Sequence, residues 1–273
     1  VLFGLAGFCG RAVAQDNPVL AMIGTGNLGG TFGPALGRAG YPVVYGSRNP
    51  DRELVRALVE RTGAGASAAS PHEAAGRAGI IVLAVPAEVV EEVTRNLGDL
   101  DGKIVVDVSG GRKRVAADGY MELVSDSTNS QRLQSRHPTA RVVRIALPGM
   151  FSLVNPLLLG TPPTVLIAGD DPRAREAVAR LIFDLGLDPW DAGPLRFSRI
   201  FDAIALLSLI PAQQGRTEGY DLKLLPSVPF SCIFDPAKAF GFGRPYDLDK
   251  LPRFPRRDPP ISCNEWRQRI GIR

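Results

Sequence analysis

The sequence predicts an α/β fold in which helices flank a mostly parallel sheet. Short apolar runs with strand character alternate with segments of helical spacing over most of the chain, and a glycine turn joins the first such pair. Strands that alternate with helices in this way are typical of parallel sheets. The 273 residues are 45% hydrophobic, which is ample for a packed core in one large or two small domains.

The glycine turn occupies residues 24–29, with the sequence GTGNLG. A strand-like run precedes it, and residues 28–39 have helical spacing. Gly24 permits the tight turn, Gly26 lets a pyrophosphate approach the backbone, and Gly29 lets helix and strand pack closely. The N–H groups at the helix N-terminus attract the anion. A GxGxxG sequence also occurs in plain glycine turns, but this strand–turn–helix context predicts a Rossmann-type, doubly wound domain that binds a dinucleotide.

The end of the second predicted strand favours NADP over NAD. In NAD enzymes, a carboxylate about 20 residues after the glycines holds the ribose 2′-hydroxyl. No carboxylate stands there in this chain, where Ser47 and Arg48 follow the strand. A hydroxyl and a guanidinium can bind a 2′-phosphate, and arginine can do so with two hydrogen bonds. The other interpretation of Arg48 is a solvated loop arginine.

Further strands and helices follow in alternation. Strands are predicted over residues 80–85, 103–108, 141–146, 164–168 and 188–191, and helices over 50–61, 87–97, 172–185, 197–213 and a short segment from residue 71. Asn49, Ser70 and Asp171 stand where helix caps are expected. The last helix is largely apolar, which predicts a homodimer contact. One of its faces holds Ile200, Ala203, Ile204 and Leu207.

The chain divides into four predicted segments: a signal-peptide remnant (1–17), an NADP-binding Rossmann domain (18–193), a C-terminal helical segment (194–219) and a proline-rich tail (220–273). Ala12-Val13-Ala14 has the form of a signal-peptidase site, so we expect a periplasmic or secreted protein. The alternative is a frayed N-terminus of a cytoplasmic protein. Reduced nicotinamides are made in the cytoplasm, so export and NADP binding are in conflict. The twin-arginine route, which carries folded proteins with their cofactor in place, would resolve that conflict. The tail is expected to wrap the body or a dimer partner.

Composition argues against several other classes. The net charge is +4, and no basic run is interleaved with aromatics, so nucleic-acid binding is not expected. No segment is long and apolar enough to span a membrane. The histidines, His72 and His137, are expected to be solvated, and the cysteines have no metal-ligand spacing, so no metal site is predicted. Cys232 and Cys263 could pair in an oxidising compartment or remain thiols.

The ordered motifs IGTGNLG, YGSRNP, VLAVP, KIVVDVSG and LIAGDDPRAREAVARLIFDLGLDPWDAGPL resemble the NADPH-dependent coenzyme F420 reductases and the related oxidoreductase domain of STEAP metalloreductases. The similarity spans residues 19–209. Residues 127–133 resemble the STEAP proteins, in which a Ser-Asn pair precedes a helix. The resemblance implies NADPH bound across the carboxyl ends of the strands. The implied contacts are Thr25, Asn27 and Leu28 with the pyrophosphate, Ser47 and Arg48 with the 2′-phosphate, and Val85 and Pro86 with the nicotinamide half.

The resemblance also implies hydride transfer to a flat acceptor, F420 or a flavin, as co-substrate. The protein then orients the partners and excludes water, and no catalytic acid or base is demanded. Ser109 stands at the end of a strand on the side where the cofactor is expected, so it is a candidate contact of the nicotinamide ribose. The alternative is that Ser109 only stabilises the turn after the strand.

One departure from the family concerns residues 144–150, RIALPGM. Leu147 and Pro148 replace an asparagine and a threonine that face the nicotinamide and the acceptor in the family. Two alternatives follow: a degenerate NADP-binding sensor or partner-binding module without turnover, and an NADPH-dependent reductase of another small substrate such as an imine or ketone. A cleft left open at Leu147 favours an enzyme, and a filled one favours the binding module.

Overall fold

The computed structural model describes residues 17–63, 65–124, 126–147, 149–157, 160–216 and 221–224, with the single residues 262, 264, 265 and 268. The predictions for the signal-peptide remnant before residue 17, for Pro148, for most of the proline-rich tail and for the three cysteines lie outside these residues.

Ten strands are present in the described residues. They are β1 (Leu20–Ile23), β2 (Val43–Gly46), β3 (Ser67–Ala69), β4 (Ile80–Leu83), β5 (Ile104–Asp107), β6 (Lys113–Val115), β7 (Met121–Leu123), β8 (Arg141–Ala146), β9 (Thr164–Gly169) and β10 (Asp188–Gly193). Eight of them form one sheet in the order β10-β9-β8-β5-β4-β1-β2-β3, while β6 and β7 form a separate hairpin. The β8–β9 pair is antiparallel and the other pairs of the large sheet are parallel.

The order 3-2-1-4-5 of the first five strands is that of a Rossmann sheet. The predicted fold class is therefore confirmed. Because β8 and β9 are antiparallel, β9 and β10 run opposite to the rest of the sheet. The start of β9 consequently lies at the edge where the parallel strands end.

Eight α-helices accompany the strands in the described residues. They are α1 (Asn27–Arg38), α2 (Glu53–Thr62), α3 (Pro71–Arg77), α4 (Val90–Arg95), α5 (Asn129–Arg136), α6 (Met150–Val154), α7 (Pro172–Asp184) and α8 (Ser198–Gln213). The predicted caps Ser70 and Asp171 are confirmed, since each side chain accepts a hydrogen bond from the backbone N–H three residues on. A 3₁₀ turn, Leu195–Phe197, precedes α8.

The predicted cap at Asn49 is wrong, because α2 begins at Glu53. The Ser47 hydroxyl accepts a hydrogen bond from Asn49 N (3.2 Å) and donates one to Asn49 O (3.0 Å). This local turn competes with helix formation, as serine side chains commonly do. The sequence also gave no sign of β3, the β6–β7 hairpin or α6, which are three to five residues long and lack apolar periodicity.

The sheet lies between two apolar layers, and β1 is buried along its whole length. On one side, α1 packs closely on β2 and α2. A Cβ at Gly33 would lie 2.0 Å from the Tyr45 hydroxyl oxygen, and one at Gly37 would lie 2.5 Å from the carbonyl oxygen of Thr62. The Tyr45 hydroxyl is fully buried and 2.6 Å from Thr62 Oγ1. Helix α1 therefore presents glycine where its neighbours approach.

Helix α8 buries a different face from the apolar one identified in the sequence. Its buried residues are Ser198, Phe201 and Asp202, whereas Ile200 and Leu207 are 52% and 65% exposed. The apolar face that the sequence assigned to a dimer contact is thus largely open to solvent. None of the helices in the described ranges has the length and apolar character needed to span a membrane.

Candidate active site

The glycine turn sits where β1 and β4 end side by side, which is the point at which the strand order reverses. Gly24 has φ +115°, and a Cβ there would lie 2.3 Å from the carbonyl oxygen of Ala84. A Cβ at Gly29 would lie 2.0 Å from the carbonyl oxygen of Gly24, whereas one at Gly26 would meet nothing within 4 Å. Two glycines are therefore required by packing, and the third leaves the backbone accessible from solvent.

A first cleft of about 620 Å³ opens at the carboxyl ends of β1, β2 and β4. It brings together seven of the eleven residues predicted to bind cofactor. They are Gly24, Thr25, Gly26, Ser47, Arg48, Val85 and Pro86. Such a position, at the switch point of an open α/β sheet, is where these folds bind ligands.

The far end of the first cleft carries two guanidinium groups. Arg48 and Arg52 are both exposed, both line the cleft, and neither side chain makes a hydrogen bond or ion pair within the described residues. Arg52 was not predicted from the sequence. It lies four residues after Arg48 and just before α2, and this spacing could have indicated it. Together with the Ser47 hydroxyl, the two cations form a site suited to a phosphate.

A second cleft of about 370 Å³ lies beyond Leu28, at the carboxyl ends of β5 and β8. Predicted residues Leu28 and Ser109 line it, and so does Leu147, which packs partly against the core and leaves the cleft open. Gly29 is buried beneath the turn, while Asn27 is exposed and lines neither cleft. Thr25 and Gly26 face the first cleft and Leu28 faces the second, so the turn separates the two.

Ser109 is oriented by a buried polar network that the sequence did not reveal. Asn129 Nδ2 donates to Ser109 Oγ (3.2 Å) and to the carbonyl oxygen of Ala87 (2.9 Å). Asp107, which is 1% exposed, accepts hydrogen bonds from Ser109 N (2.9 Å) and Ser130 Oγ (2.5 Å). The N-terminal turn of α5 thus fixes the loop after β5 beside the second cleft.

A buried ion pair ties α8 to the same edge of the sheet. Arg144 Nη2 lies 3.0 Å from Asp202 Oδ1, and Nη1 donates to the carbonyl oxygens of Asp107 and Ile145, both at 3.0 Å. The side chains are 3% and 8% exposed. Burial raises the pKa of Asp202 above its ordinary value, although the adjacent Arg144 opposes that shift. Asp202 was not predicted; a single acid in an apolar helix is its only sequence signal.

The remaining candidates lie away from the clefts. His72 is exposed, as expected, while His137 is partly buried, and neither lines either cleft. Across the part of the chain that the structure describes, no three His, Cys, Asp or Glu side chains are arranged to hold a metal ion.

Comparison with known proteins bears on the same elements. Residues 19–111 match the family model of NADP oxidoreductases, coenzyme F420-dependent. The matched stretch runs from β1 to just past Ser109 and holds all the residues predicted to bind cofactor. It confirms the family resemblance predicted from the sequence. The matched family is one of NADP oxidoreductases, the class that the sequence predicts.

The curated protein metalloreductase STEAP3 from Rattus norvegicus is 28% identical over 207 residues. The alignment covers 73% of this chain and 38% of the rat protein. The chain therefore spans less than two-fifths of the length of that relative.

Solved structures share the fold. A candidate F420-dependent NADP reductase from Arthrobacter sp. FB24 is 22% identical with a TM-score of 0.67, covering 77% of this chain and 100% of that one. The hypothetical protein SMa0349 from Sinorhizobium meliloti is 23% identical with a TM-score of 0.58, covering 77% and 96%. An imine reductase from Streptomyces aurantiacus is 15% identical with a TM-score of 0.55, covering 72% and 63%.

Proposed function

We propose that the protein transfers a hydride between NADPH and a flavin-like acceptor, F420 or a flavin. The observation that carries this proposal is the second cleft, which stays open beside Leu147 and adjoins the glycine turn. A binding module that had lost its acceptor site would have no need of this space. The family match and the relationship to a metalloreductase support the same class of reaction.

The residues of the first cleft fit NADPH. Gly24 and Gly29 leave no room for a side chain, so the turn presents backbone N–H groups at the start of α1 to a pyrophosphate. Ser47, Arg48 and Arg52 then hold the 2′-phosphate, which distinguishes NADPH from NADH. When bound, NADPH supplies the hydride.

The residues of the second cleft act by orientation and by exclusion of water. Val85 and Pro86, at the end of the first cleft, direct the nicotinamide half past the turn. In the second cleft the Ser109 hydroxyl, held by Asn129, contacts the ribose. Leu28 and Leu147 offer apolar contact to a flat ring. No proton has to be moved by a side chain, because hydride transfer between two such rings needs proximity and a dry site.

We also propose a compartment and an assembly. The signal-peptidase-like sequence Ala12-Val13-Ala14 supports a periplasmic or secreted location, with the cytoplasm as the alternative. A homodimer through α8 is supported by the exposure of Ile200 and Leu207.

The proposal is tested by titrating the purified protein with NADPH and with NADH, then adding F420, FMN or a ferric chelate while the nicotinamide absorbance is followed. We expect tight binding of NADPH and its oxidation when F420 or FMN is added. Tight binding without turnover on any acceptor would instead support the sensor or binding module. Turnover confined to a cyclic imine or a ketone, offered in the same assay, would support the reductase of another small substrate.

A further inference from the structure

Residues 221–224, which we call the wall segment, return from beyond α8 to the carboxyl edge of the sheet. The carbonyl oxygen of Leu222 accepts a hydrogen bond from Thr164 N (2.7 Å), and Leu224 N donates to Thr164 Oγ1 (3.0 Å). Leu222 also packs against the small apolar cluster that contains Leu166 and Phe201. The reversed direction of β9 makes this possible, because it places Thr164 at the cofactor edge.

The wall segment forms one side of the second cleft, through Asp221 and Leu222. The carboxylate of Asp221 contacts the segment that follows Leu147, of which Gly149 also lines the cleft. Asp221 accepts hydrogen bonds from the backbone N–H of Gly149 and from the hydroxyl of Ser152, which is 2% exposed. A Cβ at Gly149 would lie 3.2 Å from Asp221 Oδ1, so the two parts of the chain are in close contact. One carboxylate thus joins the wall segment to the loop that follows Leu147.

We propose that Asp221 is a positioning residue that fixes the shape of the acceptor cleft and thereby determines which acceptors bind. This inference rests on the proposed function, because it takes the second cleft as the acceptor site. Asp221 acts through the segment from Gly149 to Ser152, which directly follows Leu147 and Pro148, the positions at which the chain departs from the polar family pattern. With that segment held by a carboxylate from outside the Rossmann sheet, the cleft keeps a constant width beside Leu147. A flat, largely apolar ring is the class of acceptor that such a cleft takes.

The experiment compares Asp221→Asn and Asp221→Ala with the wild-type protein, and uses Asp99→Asn as the matched control. Asp99 is an exposed turn residue whose carboxylate accepts a hydrogen bond from Asp101 N (2.9 Å), before β5 begins and therefore at the opposite edge of the sheet. Three quantities are measured for each protein: the Kd for NADPH, the KM and kcat for the acceptor, and amide hydrogen exchange over residues 149–154.

Hydrogen bonds to a charged group are among the stronger ones, so we expect Asp221→Ala to raise the acceptor KM by about tenfold. The exchange of the 149–154 amides should accelerate by at least about tenfold, while the Kd for NADPH changes less than about twofold. Asp221→Asn keeps the shape and should show a smaller effect in the same direction. Asp99→Asn should change none of the three quantities.

Unchanged exchange and unchanged acceptor KM in Asp221→Ala would overturn the inference. If the wild-type protein turns over no acceptor, the proposed function fails, and the exchange measurement still decides whether Asp221 holds this loop. Faster exchange with an unchanged acceptor KM would show that the loop is held but that it does not select the acceptor, and the inference would again be wrong.

Discussion

At the scale of single residues, Arg48 and Arg52 are the proposed determinants of a preference for NADPH. Both guanidinium groups face the first cleft without a protein partner in the described residues. Arg48 could be predicted from the sequence. NAD enzymes have a carboxylate after the second strand, and in this chain Ser47 and Arg48 follow that strand instead. Arg52 was not predicted, because the periodicity placed it inside a helix from residue 50, whereas α2 begins at Glu53; its spacing of four residues from Arg48 was the available signal.

We expect Arg48→Ala to weaken NADPH binding by about 1.5 to 3 kcal/mol, because charge-assisted hydrogen bonds to the 2′-phosphate are lost. NADH binding should be nearly unchanged, since NADH lacks that phosphate. The measurement is a calorimetric titration with each nucleotide. Arg56→Ala, an exposed arginine on α2 that does not line the cleft, is the control. Equal losses for NADPH and NADH would contradict the assignment.

Tyr45 gives a prediction on pH dependence. Burial raises its pKa from the ordinary value of 10.0 to about 12. Because the neutral form is favoured in the folded protein, the stability that Tyr45 contributes is complete below pH 10 and is lost as the pH rises towards 12. A spectrophotometric titration should show Tyr45 ionising near the alkaline unfolding transition. Tyr45→Phe should reduce the amplitude of that late step, and Tyr41, whose pKa is raised further by burial and by its hydrogen bond to Asp184, should account for the remainder.

At the scale of elements, the contact between β1 and α1 depends on Gly29. Gly29→Ala places a Cβ 2.0 Å from the carbonyl oxygen of Gly24, so the turn has to move. We expect a loss of at least about 1 to 3 kcal/mol in the free energy of unfolding. Gly30→Ala is the matched control: its Cβ meets only a side-chain atom of Arg61 at 3.6 Å, and helix propensity should make it neutral or stabilising by up to about 1 kcal/mol. Urea unfolding of both variants measures the difference, and equal losses would contradict it.

The attachment of α8 depends on the ion pair between Arg144 and Asp202. Removing one partner leaves a buried charge unpaired, so Arg144→Met should destabilise the protein by about 3 to 5 kcal/mol. The double variant Arg144→Met with Asp202→Leu should recover much of that loss, because neither charge of this pair is then left buried without its partner. Denaturant unfolding of the single and double variants measures the recovery. If the double variant is no more stable than the single one, the pair does not act through its charge.

For the molecule as a whole, the fold could be predicted and the acceptor side could not. The nucleotide half consists of short apolar strands and a glycine turn, whose physical requirements are visible in the residue types. The acceptor side is assembled from single polar residues on distant elements, such as Asn129, Asp202 and Asp221. Apolar periodicity within one segment cannot predict contacts between single polar residues on different segments. Nor could periodicity show that the buried face of α8 holds Ser198 and Asp202 while Ile200 and Leu207 face solvent.

The exposed face of α8 leads to a prediction about assembly. If two copies pair through it, the wild-type protein should have twice the 29.2 kDa mass of one chain, and Ile200→Glu with Leu207→Glu should return it to a single copy. Light scattering after size-exclusion chromatography measures this. Leu54→Glu is the control, since Leu54 is 67% exposed on α2 and should not affect assembly. A wild-type protein of single-chain mass at micromolar concentration would contradict the homodimer.

The order of the strands also bears on biosynthesis. Every element around the first cleft comes from residues 20–111, whereas the second cleft needs β8, β9, α8 and the wall segment, which ends at residue 224. During translation the elements around the first cleft therefore emerge before the walls of the second. If the two clefts act as proposed, a nascent chain can hold NADPH before the acceptor has a place to bind.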